Sequence, residues 1–156
     1  MDYEMEQYLN SPLSLRLMAP TEFQRALRKG RLEILFRRIL GLPRHLLPFV
    51  TVKKDLNLVN RMEMGRQEIR LDEIIGSVDK YELFSHSLMP LSTRLENRWS
   101  AIYILIQGAR GCLPIEVYQV GDDFFILDGH HRASVARYLG NEVIEAYVTE
   151  WLVSPN

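Results

Sequence analysis

The 156 residues carry a formal charge of -1, with 25% charged and 47% apolar side chains. That is the composition of a soluble globular domain with its own core, and it excludes a disordered or fibrous chain. One cysteine, Cys112, excludes an internal disulfide and fits a reducing cytosol, so a cytoplasmic location is expected.

No apolar run reaches membrane-spanning length, and no membrane partner is expected. Asp2, Glu4 and Glu6 give the N-terminus the wrong charge for a secretory or organellar signal. The near-neutral total hides an asymmetry. Residues 20–54 hold nine basic side chains against Glu22 and Glu33, whereas residues 55–156 hold nine basic against fifteen acidic.

Residues 1–19 read as a lead-in closing at Ala19-Pro20, with a weak helical signal over Tyr3 to Leu9. Thr21 and Gln24 resemble a capping box. Phe23, Ala26, Leu27, Ile34, Leu35 and Ile39 then follow a helical stripe from about Glu22 to Leu40, as one helix or two broken at Gly30. This stripe is expected to be core or a homodimer contact rather than a membrane surface. Pro43 to Pro48 is a connection, and Phe49 to Lys53 suits a strand. Asp55 to Arg66 is ambiguous. Glu68 to Leu71 reads as extended, Asp72 to Gly76 as its turn, and Val78 to Pro90 as loop or short helix.

Leu95, Trp99, Ile102 and Ile106 mark the clearest amphipathic helix, opened by Thr93 and Glu96 and ended at Gln107-Gly108. Ile115 to Val120, the turn Gly121-Asp122-Asp123 and Phe124 to Leu127 form a hairpin. Asp128-Gly129 breaks the second strand. Ala133, Val135, Ala136 and Leu139 then take helical spacing, with Gly140 where that helix would end. Val143 to Val148 is a final strand. The fold class is therefore α+β: a small mixed sheet with packed helices, comprising a helical, basic N-terminal extension (1–65) and a compact domain (66–152).

The polar cluster Asp128, Gly129, His130, His131 and Arg132 lies at a helix N-terminus, where unsatisfied N–H groups and the helix dipole favour an anion, most naturally phosphate. Arg132 suits a bidentate phosphate contact, or is an exposed helix-start arginine. Gly129 allows close backbone approach, and Ala133 and Ser134 would offer backbone N–H groups. His130 and His131 can donate to phosphate, and His131 can move a proton, or either can cap the helix. Asp128 can hold magnesium or accept a proton from a hydroxyl, or serve as ordinary turn and cap chemistry. No ligand spacing supports a metal centre built on the histidines. Arg94 and Arg98, one helical turn apart, can face the same anion or pair with carboxylates.

Leu113-Pro114-Ile115-Glu116-Val117, Gly121-Asp122, Phe125 to Arg132 and Ala136 to Gly140 together resemble the N-terminal domain of the ParB family and the wider ParB/sulfiredoxin fold. The resemblance covers about Glu68 to Glu150. It implies that the Gly-x-x-Arg loop binds nucleotide phosphates: CTP, ATP or ADP, with or without magnesium. Arg94 matches the arginine that ParB members carry ahead of the first helix. In ParB proteins CTP switches a DNA clamp. Cys112 lies outside the loop, so the sulfiredoxin reaction is not expected. Asp-Gly-His-His-Arg is similar to the loop of free-serine kinases of this fold, which use ADP; Asp128 carries over to their acidic chemistry, and Glu73 is the match for their base. ParB proteins continue into a helix-turn-helix reader, whereas this sequence ends at Asn156 and adds a basic segment in front. The expected function is thus a ParB-like nucleotide- or phosphate-binding module, in which the basic run 25–54 either contacts DNA or is a solvated helix face or a contact to the acidic remainder of the chain. The alternative is a small-molecule phosphotransferase or nucleotide hydrolase.

Overall fold

The computed structural model describes residues 3–108 and 111–154. Its elements are α1 (Tyr3–Leu9), α2 (Leu13–Leu40), β1 (Leu47–Pro48), α3 (Phe49–Asp55), β2 (Leu58–Arg70), β3 (Ile74–Ser77), α4 (Glu96–Gln107), β4 (Ile115–Val120), β5 (Asp123–Asp128), α5 (His130–Tyr138) and β6 (Val143–Val153). Single 3-10 turns at Leu71–Glu73 and Thr93–Leu95 precede β3 and α4. The six strands form one mixed sheet in the order β1-β3-β5-β4-β6-β2. Within it β1, β3 and β5 run parallel, as do β4 and β6, while β5 meets β4 and β6 meets β2 antiparallel. The expected mixed sheet with packed helices is present.

The sheet buries its two faces unequally. One face carries Ile69, Ile74, Ile115, Val117, Phe124, Ile126, Ile144, Ala146 and Val148 into a single core with α2, α4 and α5. Trp99 of α4 sits at the centre, edge-on to Phe23 of α2 at 5.6 Å and to Tyr138 of α5 at 5.3 Å. On the opposite face lies α3, whose Phe49 packs on Tyr118, Phe125 and Trp151.

Several sequence expectations change, and one left open is decided. Helix α2 begins at Leu13 and passes through Pro20. A proline there forfeits one helical hydrogen bond, but Ala19 and Phe23, on either side of it, are fully buried, and that burial outweighs the local cost. Gly30 does not break the helix: a Cβ there would meet the Pro90 carbonyl oxygen at 2.6 Å, so glycine lets α2 touch the loop. The stripe is only half core: Phe23, Ala26 and Leu27 are buried, whereas Leu35 and Ile39 are exposed. Phe49 to Lys53 is helical, because one turn turns both Phe49 and Val52 onto the aromatic cluster.

The ambiguous stretch becomes most of the thirteen-residue β2, which pairs with β6 along its length. Ile74 to Ser77 forms a buried parallel strand, where a turn was expected. The expected boundary at 65/66 falls inside β2, and α2 shares the core of the strands that follow it. The hairpin, α4 and α5 stand where their sequences place them, and β6 runs on to Val153.

Candidate anion site at the start of helix α5

Helix α5 starts where β5 ends. Gly129 makes the handover with φ 99°, a left-handed conformation that side chains resist. It also has no room for a side chain, since a Cβ would lie 2.5 Å from Ile115 Cγ2. The turn therefore needs glycine for both torsion and space. The first helical bond runs from the Ala133 N–H to the Gly129 carbonyl, at 3.0 Å. Helix geometry thus leaves the N–H groups of His130, His131 and Arg132 ahead of the hydrogen-bond ladder, as potential donors to an anion. The expected donors Ala133 and Ser134 belong to the buried part of the helix instead. Ser134 Oγ accepts the Trp99 indole N–H at 3.0 Å, pinning α5 to α4.

A cleft of about 380 Å³ opens at this helix start, lined by Lys80, Arg98, Ile102, Asp128, Gly129, His130, His131 and Arg132. Five of the expected residues, Asp128 to Arg132, meet there. Arg94 is exposed in the 3-10 turn before α4 and is not among the lining residues, whereas Arg98, a turn later, is. Glu73 does not join them. It precedes Ile74, which is in register with Phe124 at the far end of β5 from Asp128.

Arg132 is largely committed within the protein. Nη1 donates to the carbonyls of Leu113 at 3.1 Å and Pro114 at 2.7 Å, and Nη2 donates to Asp128 Oδ2 at 2.8 Å. Of its five N–H donors two have no partner among the described residues. Its charge is offset by Asp128, so Lys80 and Arg98 add the further positive charge at the cleft.

The two histidines differ in setting. His130 is buried, with Nε2 at 2.5 Å from Ser77 Oγ and 3.6 Å from Asp79 Oδ1. Burial lowers its pKa, partly opposed by Asp79. His131 is pushed down to about 4, by burial first and then by the positive charges of Arg98 and Lys80. It is neutral at pH 7, and its Nε2 is buried with no hydrogen-bond partner among the described residues. A neutral imidazole can donate or accept one hydrogen bond there, but it adds no charge.

Sequence reasoning missed Ser77, Asp79 and Lys80. The signal was the run Ile74-Ile75-Gly76-Ser77-Val78, a buried parallel strand whose C-terminal end places Asp79 and Lys80 beside the turn after β5. Among the described residues no three His, Cys, Asp or Glu side chains gather as a metal-binding group, and no helix is long and apolar enough to cross a membrane. No protein-family model, curated protein or solved structure matches the chain.

Proposed function

We propose that the chain is a ParB-like domain that binds the phosphates of a nucleotide, CTP, ATP or ADP, in the cleft at the start of α5. The observation that carries this reading is a hollow of about 380 Å³ that joins a helix N-terminus to three cationic side chains, Lys80, Arg98 and Arg132. Phosphate would take the N–H groups of His130 to Arg132, the two remaining Arg132 donors and the ammonium of Lys80. The neutral His131 would add a hydrogen bond. Of the basic residues within 25–54, the exposed Arg44, Lys53 and Lys54, which lie beyond α2, are the surface through which DNA would be engaged.

A second reading, a phosphotransferase or nucleotide hydrolase, is favoured by Asp128, whose side chain is 66% exposed at the edge of the same cleft. There it would manage magnesium or a substrate proton.

The test is a thermal-shift screen of CTP, ATP, ADP and inorganic phosphate, with and without magnesium, on the wild type and on Lys80→Ala. Stabilisation that rises with ligand concentration and weakens in Lys80→Ala supports the site. No stabilisation by any of them at high concentration overturns it. Magnesium-dependent turnover lost in Asp128→Asn would select the second reading.

A further inference from the structure

Helix α2 has two apolar sides, and only one is used. Ala19, Phe23, Ala26, Leu27 and Gly30 face the core. At about 100° per residue, Leu32, Leu35, Phe36 and Ile39 fall together on the opposite side. They are 66%, 55%, 63% and 74% exposed. Scattered exposed leucines need no explanation, but four bulky side chains at i, i+3, i+4 and i+7 make a continuous patch of the kind that marks a contact surface.

Its rim is of one sign. Arg28, Arg31 and Arg38 are exposed along the same side of the helix. The one acid between Phe23 and Leu40 is Glu33, and it is turned inward. Its carboxylate accepts from Ser85 Oγ at 2.5 Å and the Ser87 N–H at 3.1 Å, and pairs with Arg37 at 2.9 Å. Those hydrogen bonds and Arg37 hold the Glu33 pKa below the usual carboxylate value despite the opposing effect of burial, so it stays ionised and committed. The outer side thus offers an apolar stripe edged by arginines that no carboxylate pairs with among the described residues.

That charge pattern decides the occupant. A second copy laid stripe to stripe would set arginine against arginine across a two-fold axis, with no acid to pair them. Nucleic acid would satisfy the arginines and leave the apolar side chains in water. An anionic phospholipid surface satisfies both. Apolar side chains enter the acyl boundary while arginine stems lie along it and guanidinium groups reach the phosphates. The core-facing side of α2 lies opposite the stripe, so the domain would sit above the surface without a clash.

We propose that the outer side of α2, from Arg28 to Ile39, docks the protein flat on an anionic lipid bilayer, contrary to the sequence expectation of no membrane partner. It is a surface contact and not a span.

The test is co-sedimentation of the full chain with phosphatidylcholine vesicles with and without phosphatidylglycerol, at low and high salt. Binding is expected only to the anionic vesicles and is expected to weaken with salt. Arg31→Gln with Arg38→Gln should lower affinity by about 25-fold, roughly fivefold per arginine. Phe36→Ser with Ile39→Ser should abolish sedimentation while leaving the urea midpoint unchanged, since both side chains are exposed. Absence of binding to anionic vesicles at low salt overturns the proposal. So does undiminished binding by the Phe36→Ser, Ile39→Ser variant. A wild-type dimer that ignores vesicles and dissociates on those two substitutions would assign the stripe to a second copy instead.

Discussion

Arg132 donates to Asp128 across 2.8 Å, yet the two members of this pair are differently placed: the arginine side chain is 16% exposed and the aspartate 66%. The arginine also holds the Leu113 and Pro114 carbonyls at the entry to β4. An ion pair this open contributes at most about 1 kcal/mol. Charge-assisted bonds from a largely buried guanidinium contribute more, on the order of 1.5–3 kcal/mol. Arg132→Ala should therefore lower the unfolding free energy clearly, and Asp128→Ala only slightly. Urea titration of both variants checks this, and equal losses would show that the ion pair matters and the carbonyl bonds do not.

Trp99 and Ser134 are both fully buried, and the indole N–H has Ser134 Oγ as its partner. Ser134→Ala removes the acceptor and leaves a buried donor unpaired, which costs about 1–3 kcal/mol. The same change in a Trp99→Phe background, where no donor remains, should cost markedly less. A double-mutant cycle in urea measures the difference, and additive losses would rule out the bond as the cause.

Protonating His131 is disfavoured in the folded state, where its pKa is about 4 against the ordinary 6.5, and His130 is lowered as well. In the unfolded chain both titrate near 6.5, so between about pH 6.5 and 4 the unfolded state binds more protons. Their contribution is complete above pH 6.5 and is lost as pH falls through that window. The urea midpoint should hold steady from pH 8 to 7 and drop from pH 6.5 to 4.5. His131→Asn should flatten much of that drop. A midpoint that rises on acidification through this range would contradict the burial of the two rings.

What could be read from the sequence was local. The hairpin and α5 announce themselves through Gly121-Asp122, Asp128-Gly129 and Gly140, residues whose turn and cap chemistry needs no distant partner. The mixed-sheet class follows from that order of elements. Other features depend on contacts far along the chain. Pro20 is a breaker by local rules and is overruled by the burial of Ala19 and Phe23. Val50, Thr51 and Val52 favour a strand by branching, yet form a helix because Phe49 must reach Trp151. Strand β2 alternates charges such as Arg61, Glu63, Arg66 and Glu68 on an exposed edge, so it shows no apolar rhythm. The candidate site divides in the same way. Asp128 to Arg132 are contiguous and legible, whereas Lys80 arrives by the parallel pairing of β3 with β5, and Arg98 by the packing of α4 on α5.

Gly30 sets helix propensity directly against packing. Exchanging glycine for alanine inside a helix ordinarily stabilises by roughly 0.8–1 kcal/mol. Here the new methyl would lie 2.6 Å from the Pro90 carbonyl oxygen, 3.0 Å from Leu91 Cδ2 and 3.1 Å from Met89 Cβ. The nearest atom is backbone, and Met89 belongs to the core, so neither can step aside alone; α2 or the loop from Met89 to Leu91 must move. Overpacking of this kind costs about 1–3 kcal/mol, which exceeds the propensity gain. Gly30→Ala should therefore lower the urea midpoint, despite being the substitution that an isolated helix would favour. A raised midpoint would mean that α2 does not approach the loop this closely, and that Gly30 is the simple weak spot its sequence suggests.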